Sequence, residues 1–113
     1  MKSKFAAEPD RVIHEPARLK IMSVLSVLDC ADFVYLMGET ELTRGNLSVQ
    51  LRRLEAAGYI FVSKEFRGRV PRTIATITDA GRKAFKSYRA YLRRLLKATS
   101  EMNVRSNAVA ETG

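Results

Sequence analysis

The sequence is poor in the residues from which catalytic, metal and disulfide sites are built. It contains one cysteine, Cys30, and one histidine, His14, among 113 residues. A lone cysteine excludes an intrachain disulfide and a cysteine-based zinc site, and no glycine-rich phosphate loop occurs. We therefore expect no enzyme, no catalytic residues, no cofactor and no metal. We expect Cys30, in an apolar-flanked turn, to be a small buried hydrophobic residue, with a redox sensor as the open alternative.

Long apolar runs are absent as well. No stretch approaches the roughly 20 consecutive apolar residues of a membrane span, and Glu8 and Pro9 interrupt the N-terminus before a signal peptide develops. Apolar residues make up 46% of the chain, which is normal for one globular domain of this length. We expect a cytoplasmic protein without a membrane partner. Its predicted parts are a flexible N-terminus at 1–11, a domain at 12–96 and a disordered tail at 97–113.

The charge of the chain is distributed unevenly. The formal net charge is +8. Residues 1–43 carry 5 basic and 7 acidic side chains, a net charge of −2, whereas residues 44–94 carry 13 basic and 3 acidic side chains, a net charge of +10. A localised excess of this size indicates a surface for a polyanion. The alternative is a solvated basic face without a partner.

Two helices are predicted in the first third of the chain. Pro16 suits the first turn of a helix, and apolar residues at helical spacing extend that helix to Leu28. Residues 29–32 are predicted to form a turn, with Asp32 as the N-cap of a short second helix. That helix is expected to end near Gly38, before a polar turn at 39–41. The expected inward residues are Leu19, Ile21, Met22, Val24, Leu25 and Leu28 of the first helix and Phe33, Leu36 and Met37 of the second.

The third helix has the clearest pattern in the sequence. Thr43 is its expected N-cap, and Gly58 can end it in the left-handed conformation that glycine tolerates. Apolar residues at i, i+4 and i+7 form an inward stripe, and about 100° per residue places short polar groups and two arginines on the opposite half. The stripe consists of Leu47, Leu51 and Leu54. The opposite half contains Gly45, Asn46, Val49, Arg52 and Arg53, and Ser48 and Gln50 lie at the flanks.

A basic hairpin and a last helix follow. Residues 59–63 and 73–77 are rich in β-branched and aromatic residues, as strands are, and residues 66–72 are predicted to form the turn between them. Thr78 is the expected cap of the fourth helix, accepting from the N–H of Gly81. Gly81 disfavours a helix by roughly 1 kcal/mol, so we expect it to allow close packing against the sheet.

The order helix, helix, helix, strand, basic turn, strand, helix resembles a winged helix-turn-helix domain. It is similar to the small MarR-like and ArsR-like bacterial transcription regulators over residues 12–96. The residues that carry the resemblance are 42–48, 51–60 and 72–82. The resemblance implies an α+β, mainly α fold with a three-helix core, a two-stranded β wing and a C-terminal dimerisation helix.

The resemblance also implies a function, that of a sequence-specific double-stranded DNA-binding regulator, a repressor acting as a homodimer. Helix 43–57 would enter the major groove, where asparagine, arginine and a valine methyl can read base edges. The basic wing at 64–72 would contact the DNA backbone or the minor groove. The implied DNA-binding residues are Thr43, Arg44, Asn46, Ser48, Val49, Arg52, Arg53, Lys64, Arg67, Arg69 and Arg72.

Large apolar side chains of the last helix recur every three or four residues, the spacing of a helix-pairing seam. The expected dimer interface, assisted by the first helix, consists of Phe85, Tyr88, Tyr91, Leu92, Leu95 and Leu96. The alternative is that the helix packs only on its own domain.

Other partners are also open. The metal sites of ArsR-like sensors require clusters of cysteine and histidine, which this chain lacks, and nothing in the sequence marks a pocket for a small-molecule effector. A winged-helix module that binds an acidic protein through the same surface is the alternative function. RNA is a third possibility, although the basic strands lack an aromatic stacking platform.

Overall fold

The computed structural model describes residues 5–102 and contains four helices and one three-stranded sheet. This architecture confirms the predicted mainly helical winged-helix fold. The elements are α1 (Pro16–Leu28), β1 (Cys30–Asp32), α2 (Phe33–Thr40), α3 (Arg44–Ala56), β2 (Ile60–Arg67), β3 (Val70–Ile77) and α4 (Asp79–Met102).

The helix starts follow from short polar side chains that satisfy free backbone N–H groups. Asp32 accepts from the N–H of Tyr35 at 2.8 Å, and Thr43 accepts from the N–H of Asn46 at 3.1 Å, as predicted. Helix α2 continues beyond Gly38 to Thr40, so the expected polar turn is wrong. The hydroxyl of Thr40 donates to the carbonyl of Leu36 at 2.6 Å, which lets this buried polar residue stay inside the last turn.

The expected turn at 29–32 is partly a strand. β1 pairs antiparallel with β3, with Cys30 opposite Thr76, in a sheet of order β1-β3-β2. Successive residues of a strand point to opposite faces of the sheet, and Cys30 lies on the exposed face, so the prediction that Cys30 is buried is wrong. Only Ala31 of this strand belongs to the core.

The wing is longer and its turn is tighter than predicted. β2 and β3 stay paired as far as Arg67 and Val70, so only Gly68 and Arg69 form the loop. Gly68 has a φ of +64°, which glycine adopts without steric strain and which a two-residue hairpin loop requires.

The core lies between the three N-terminal helices, the base of the sheet and the first half of α4. Buried leucines of α3 meet buried residues of α1, α2 and β2, which confirms the predicted inward stripe. Leu28, the last residue of α1, is instead 43% exposed. Ile13, which precedes α1, is fully buried although it belongs to no periodic apolar pattern.

Helix α4 begins against the sheet and then leaves the core. Thr78 accepts from the N–H of Gly81 at 3.0 Å, as predicted. A Cβ at Gly81 would lie 2.1 Å from the carbonyl oxygen of Tyr59, so this position has room only for glycine. The helix continues to Met102, beyond the predicted domain end at residue 96. Residues 103–113 of the predicted tail lie outside the described part of the chain.

Candidate nucleic-acid interface

The outer face of α3 carries the short polar and basic side chains that the sequence placed there. Leu47, Leu51 and Leu54 are buried beneath it, while Asn46, Val49, Arg52 and Arg53 are exposed and Ser48 is half-buried. A rigid helix whose outer face combines amide, methyl and guanidinium groups can meet the donors, acceptors and methyl groups of a DNA major groove.

Gln50 and Arg18, which are not among the predicted DNA-binding residues, hold Asn46 in place. Gln50 donates from Nε2 to Asn46 Oδ1 at 2.9 Å, and Arg18 of α1 donates to Gln50 Oε1 at 2.7 Å. This chain of bonds leaves the Nδ2 group of Asn46 free to donate, while the second lone pair of Oδ1 remains available. The i, i+4 spacing of Asn46 and Gln50 was a usable sequence signal; the contribution of Arg18 depends on tertiary packing.

Arg44 is held at the start of α3 by an aromatic ring of α2. Its guanidinium carbon lies 5.4 Å from the centroid of Phe33, within range of a cation–π contact. Arg44 thereby stays beside the free N–H groups of the first turn of α3, where an anion is favoured. Thr43, by contrast, uses its hydroxyl to cap the helix.

An open groove separates α3 from the wing. It has a volume of about 790 Å³ and is lined by the start of α2, by Arg44 and Ser48 of α3, and by Arg67 and residues 70–73 of the wing. The structure thus brings together predicted DNA-binding residues of the helix and of the wing on one concave surface.

Arg72 is the exception among the predicted wing contacts. Its guanidinium forms an ion pair with the carboxylate of Asp32, and both side chains are largely covered. The bond from the Tyr35 N–H, followed by the bond and charge of Arg72, lowers the pKa of Asp32. Arg72 therefore connects β3 to the cap of α2, and its contact with DNA stays a prediction.

The other wing cations are exposed. Lys64, Arg67 and Arg69 lie on the distal half of the hairpin. At the base of the wing, the N–H of Val62 donates to Glu55 Oε2 of α3 at 3.0 Å. This bond ties the start of β2 to α3. Because its acceptor is a carboxylate, it is stronger than a hydrogen bond between neutral groups.

The segment before α1 braces the site from behind. The hydroxyl of Tyr59 donates to Asp10 Oδ2 at 2.5 Å, and this bond, together with burial, raises the pKa of Tyr59 to about 12. Nδ1 of His14 lies 2.8 Å from the hydroxyl of Tyr88 on α4. The one histidine of the chain is thus part of a packing contact.

The predicted dimer residues divide into two groups. Phe85 and Tyr88 are only 9% and 3% exposed within the protomer, so they cannot form a surface for a second copy; burial in their own domain corrects that part of the prediction. Tyr91, Leu92 and Leu95 are half-buried, and Leu96 is 66% exposed.

Residues 5–102 contain no group of three or more histidine, cysteine, aspartate or glutamate side chains that could hold a metal ion. In the same part of the chain, no helix has the length and apolar character needed to cross a membrane.

Comparison with known proteins agrees with this architecture. Residues 17–96 match the family model described as a winged helix DNA-binding domain. An uncharacterized protein of Methanocaldococcus jannaschii is 39% identical over 79 residues, which are 69% of this chain and 85% of that protein.

Solved structures share the fold. A transcriptional regulator homologue from Pyrococcus horikoshii superposes with a TM-score of 0.69 at 29% identity, covering 84% of this chain and 91% of that one. The YusO protein of Bacillus subtilis gives a TM-score of 0.70 at 17% identity, covering 90% and 71% of the two chains. A PadR family transcriptional regulator from Eggerthella lenta gives 0.61 at 24% identity, covering 73% and 79%.

Proposed function

The chain belongs to the family of winged helix DNA-binding domains. On that premise we propose that it is a transcriptional regulator that binds double-stranded DNA in a sequence-specific manner. We further propose a cytoplasmic repressor that acts as a homodimer and uses neither cofactor nor catalysis. The observation that carries the proposal is the outer face of α3, where Asn46, Val49 and Arg52 project from a helix whose inner side is buried.

In this proposal α3 lies in the major groove. Asn46 pairs with adenine, Arg52 with guanine, and the methyl groups of Val49 contact a thymine methyl. Arg44 and Arg53 bind phosphates on either side, and Ser48 contacts a base edge or phosphate from the groove beside the wing. The brace from Arg18 through Gln50 supports this role, since it orders the Asn46 amide before DNA arrives.

The wing supplies the contacts that do not depend on sequence. Lys64, Arg67 and Arg69 bind the DNA backbone or enter the minor groove, where arginine responds to groove width. With about six phosphate contacts per dimer, log K falls with log salt at a slope of about −5.

Dimerisation completes the proposed regulator. One winged helix covers few base pairs, whereas two symmetry-related copies read two half-sites about one helical turn apart. The far half of α4 is the proposed interface. Its exposed or half-buried apolar residues are Tyr91, Leu92, Leu95 and Leu96.

The test compares Arg52→Ala with Arg69→Ala on two duplexes, an operator selected from a random pool and a scrambled duplex of equal length. Arg52→Ala is expected to weaken operator binding by about 1–3 kcal/mol with little effect on the scrambled duplex. Arg69→Ala is expected to weaken binding to both duplexes evenly. Equal losses of Arg52→Ala on the two duplexes would contradict base reading, and failure of the wild type to bind any duplex at low salt would favour an interaction module for an acidic protein.

A further inference from the structure

A second basic groove lies where the end of α1 meets α4, and it contains none of the residues assigned to DNA. Its volume is about 430 Å³. It is lined by the exposed Val27, by the largely buried Phe85 and by four cationic side chains of α4: Arg82, Lys86, Arg89 and Arg93. We refer to these six residues as the α4 groove.

The four cations form one stripe. At about 100° per residue, their positions fall within a sector of about 60° on α4. Arg82 is neutralised by an ion pair with Asp29 and also donates to the carbonyl of Ser26 at 3.4 Å. Lys86, Arg89 and Arg93 form no ion pair with any residue of the described range 5–102. Three uncompensated positive charges therefore face one groove, which favours an anionic occupant.

The apolar part of the groove distinguishes the kind of anion. The Val27 side chain is 80% exposed at the rim, next to the cations of α4. A DNA backbone would pair with the cations, but its phosphates and sugars would leave the valine without an apolar partner. A protein segment that alternates carboxylates with large apolar side chains would satisfy both parts, as an amphipathic helix does in a groove.

A second copy of this chain is a poorer occupant. A two-fold interface brings the same patch of both copies together, which would oppose two stripes of like charge in one contact. Such a juxtaposition disfavours association.

We propose that the α4 groove is a docking site for an acidic amphipathic segment of another protein. The segment carries glutamate or aspartate at helical spacing to pair with Lys86, Arg89 and Arg93. At least one leucine-sized side chain covers Val27. A regulator that occupies DNA through α3 and the wing would thereby present a separate surface to a protein partner.

The probe is a synthetic peptide of about 15 residues, long enough as a helix to span the stripe, with glutamate and leucine on one face and alanine elsewhere. The variant Lys86→Gln/Arg89→Gln is expected to weaken peptide binding about fivefold. The matched control Lys83→Gln/Arg94→Gln removes the same charge from exposed positions elsewhere on α4 and is expected to change binding less than about twofold. Val27→Ser, and a peptide with serine in place of leucine, are each expected to lower affinity several-fold.

Four results would overturn the proposal. Equal losses of peptide affinity in the two double variants would show that binding depends only on the overall charge of the protein. A wild type that does not bind the peptide would show that the groove is not a docking site. A larger loss of scrambled 20-bp duplex binding in the groove variant than in its control would assign the groove to DNA. Loss of dimers on sedimentation in the groove variant alone would assign it to a second copy. Duplex binding that depends on Arg52 and Arg69 is measured separately, so either proposal can fail while the other stands.

Discussion

Asp32 makes two contacts, and one of them engages an arginine that was predicted to bind DNA. Its carboxylate caps α2 through the N–H of Tyr35 and also pairs with Arg72. Both contacts favour the ionised form, and they lower the pKa of Asp32. Arg72, which the resemblance to winged-helix regulators placed among the DNA-binding residues, therefore also holds β3 against the start of α2.

Asp32→Asn separates the two contacts, because asparagine is an equally good N-cap but carries no charge. We expect the variant to lose about 1 kcal/mol of unfolding free energy at pH 7. A carboxyl group whose pKa is lowered on folding stabilises the protein at pH values above its ordinary pKa of 3.8. This stabilisation is lost as the pH falls through the lower pKa of the folded state. The difference in unfolding free energy between the wild type and Asp32→Asn should therefore disappear as the pH falls below 3.8. Urea unfolding across this pH range measures that difference, and a difference that stays constant would contradict the ion pair.

Local chemistry allowed the capping residues to be predicted, whereas the pairing of side chains distant in sequence could not be. Thr43 and Asp32 precede apolar periodic segments, so their roles follow from neighbours three residues away. Arg72 meets Asp32 across 40 positions, and Arg18 meets Gln50 across 32. Nothing in the spacing of those residues distinguishes a paired arginine from one that is free to bind DNA.

At the scale of elements, the start of α4 depends on one glycine. The absent Cβ of Gly81 lets the first turn of the helix approach the carbonyl of Tyr59, and a methyl group there would lie 2.1 Å from that oxygen. Backbone atoms give way less easily than the end of a side chain, so the helix or the strand would have to shift.

Gly81→Ala is expected to lower the free energy of unfolding by about 2–3 kcal/mol through overpacking, in spite of the higher helix propensity of alanine. The matched control is Gly38→Ala in α2, where nothing lies within 4 Å of the added Cβ. That variant is expected to gain about 0.5–1 kcal/mol from propensity and a smaller unfolded-state entropy. Chemical denaturation of both variants measures the contrast, and a Gly81→Ala protein as stable as wild type would refute the close approach.

Helix α3 was predicted to within one residue at either end because a cap, an apolar stripe and a left-handed glycine agree. β1 was missed because three residues show no alternation and their partner strand lies more than 40 positions away. The wing strands were predicted too short, since exposed charged residues such as Lys64 and Glu65 resemble a loop until cross-strand pairing is known.

At the scale of the whole molecule, residues before α1 tie the DNA-facing half to α4. Asp10 bonds to Tyr59 behind α3, and His14 bonds to Tyr88 on α4. The segment thereby connects the strand that begins the wing with the helix proposed to dimerise.

Tyr59→Phe removes one bond of this connection and leaves the rest in place. We expect a loss of about 1–2 kcal/mol of unfolding free energy, since the bond is to a carboxylate. Folding raises the pKa of Tyr59 from 10.0 to about 12, so the difference is full below pH 10 and narrows as the pH rises toward 12. Tyr35→Phe, on an exposed tyrosine of α2, serves as the control in thermal unfolding. Equal losses of stability in Tyr59→Phe and Tyr35→Phe would show that the hydrogen bond to Asp10 does not stabilise the protein.

The quaternary proposal rests on Leu96, which is 66% exposed on a helix that extends past the core. Leu96→Glu places a charge where two copies would meet, and burying an unpaired charge is strongly unfavourable. We expect this variant to sediment as a monomer at micromolar concentration where the wild type is a dimer, and to lose operator affinity.

The control is Phe61→Glu, which adds the same charge to an exposed apolar residue of β2 and should leave the dimer intact. Because Leu96 is covered so little within the protomer, its substitution should not alter folding. A wild type that sediments as a monomer yet binds its operator would remove the dimer from the proposal while leaving α3 in the major groove. A Leu96→Glu protein that stays dimeric would move the interface to another face of the molecule.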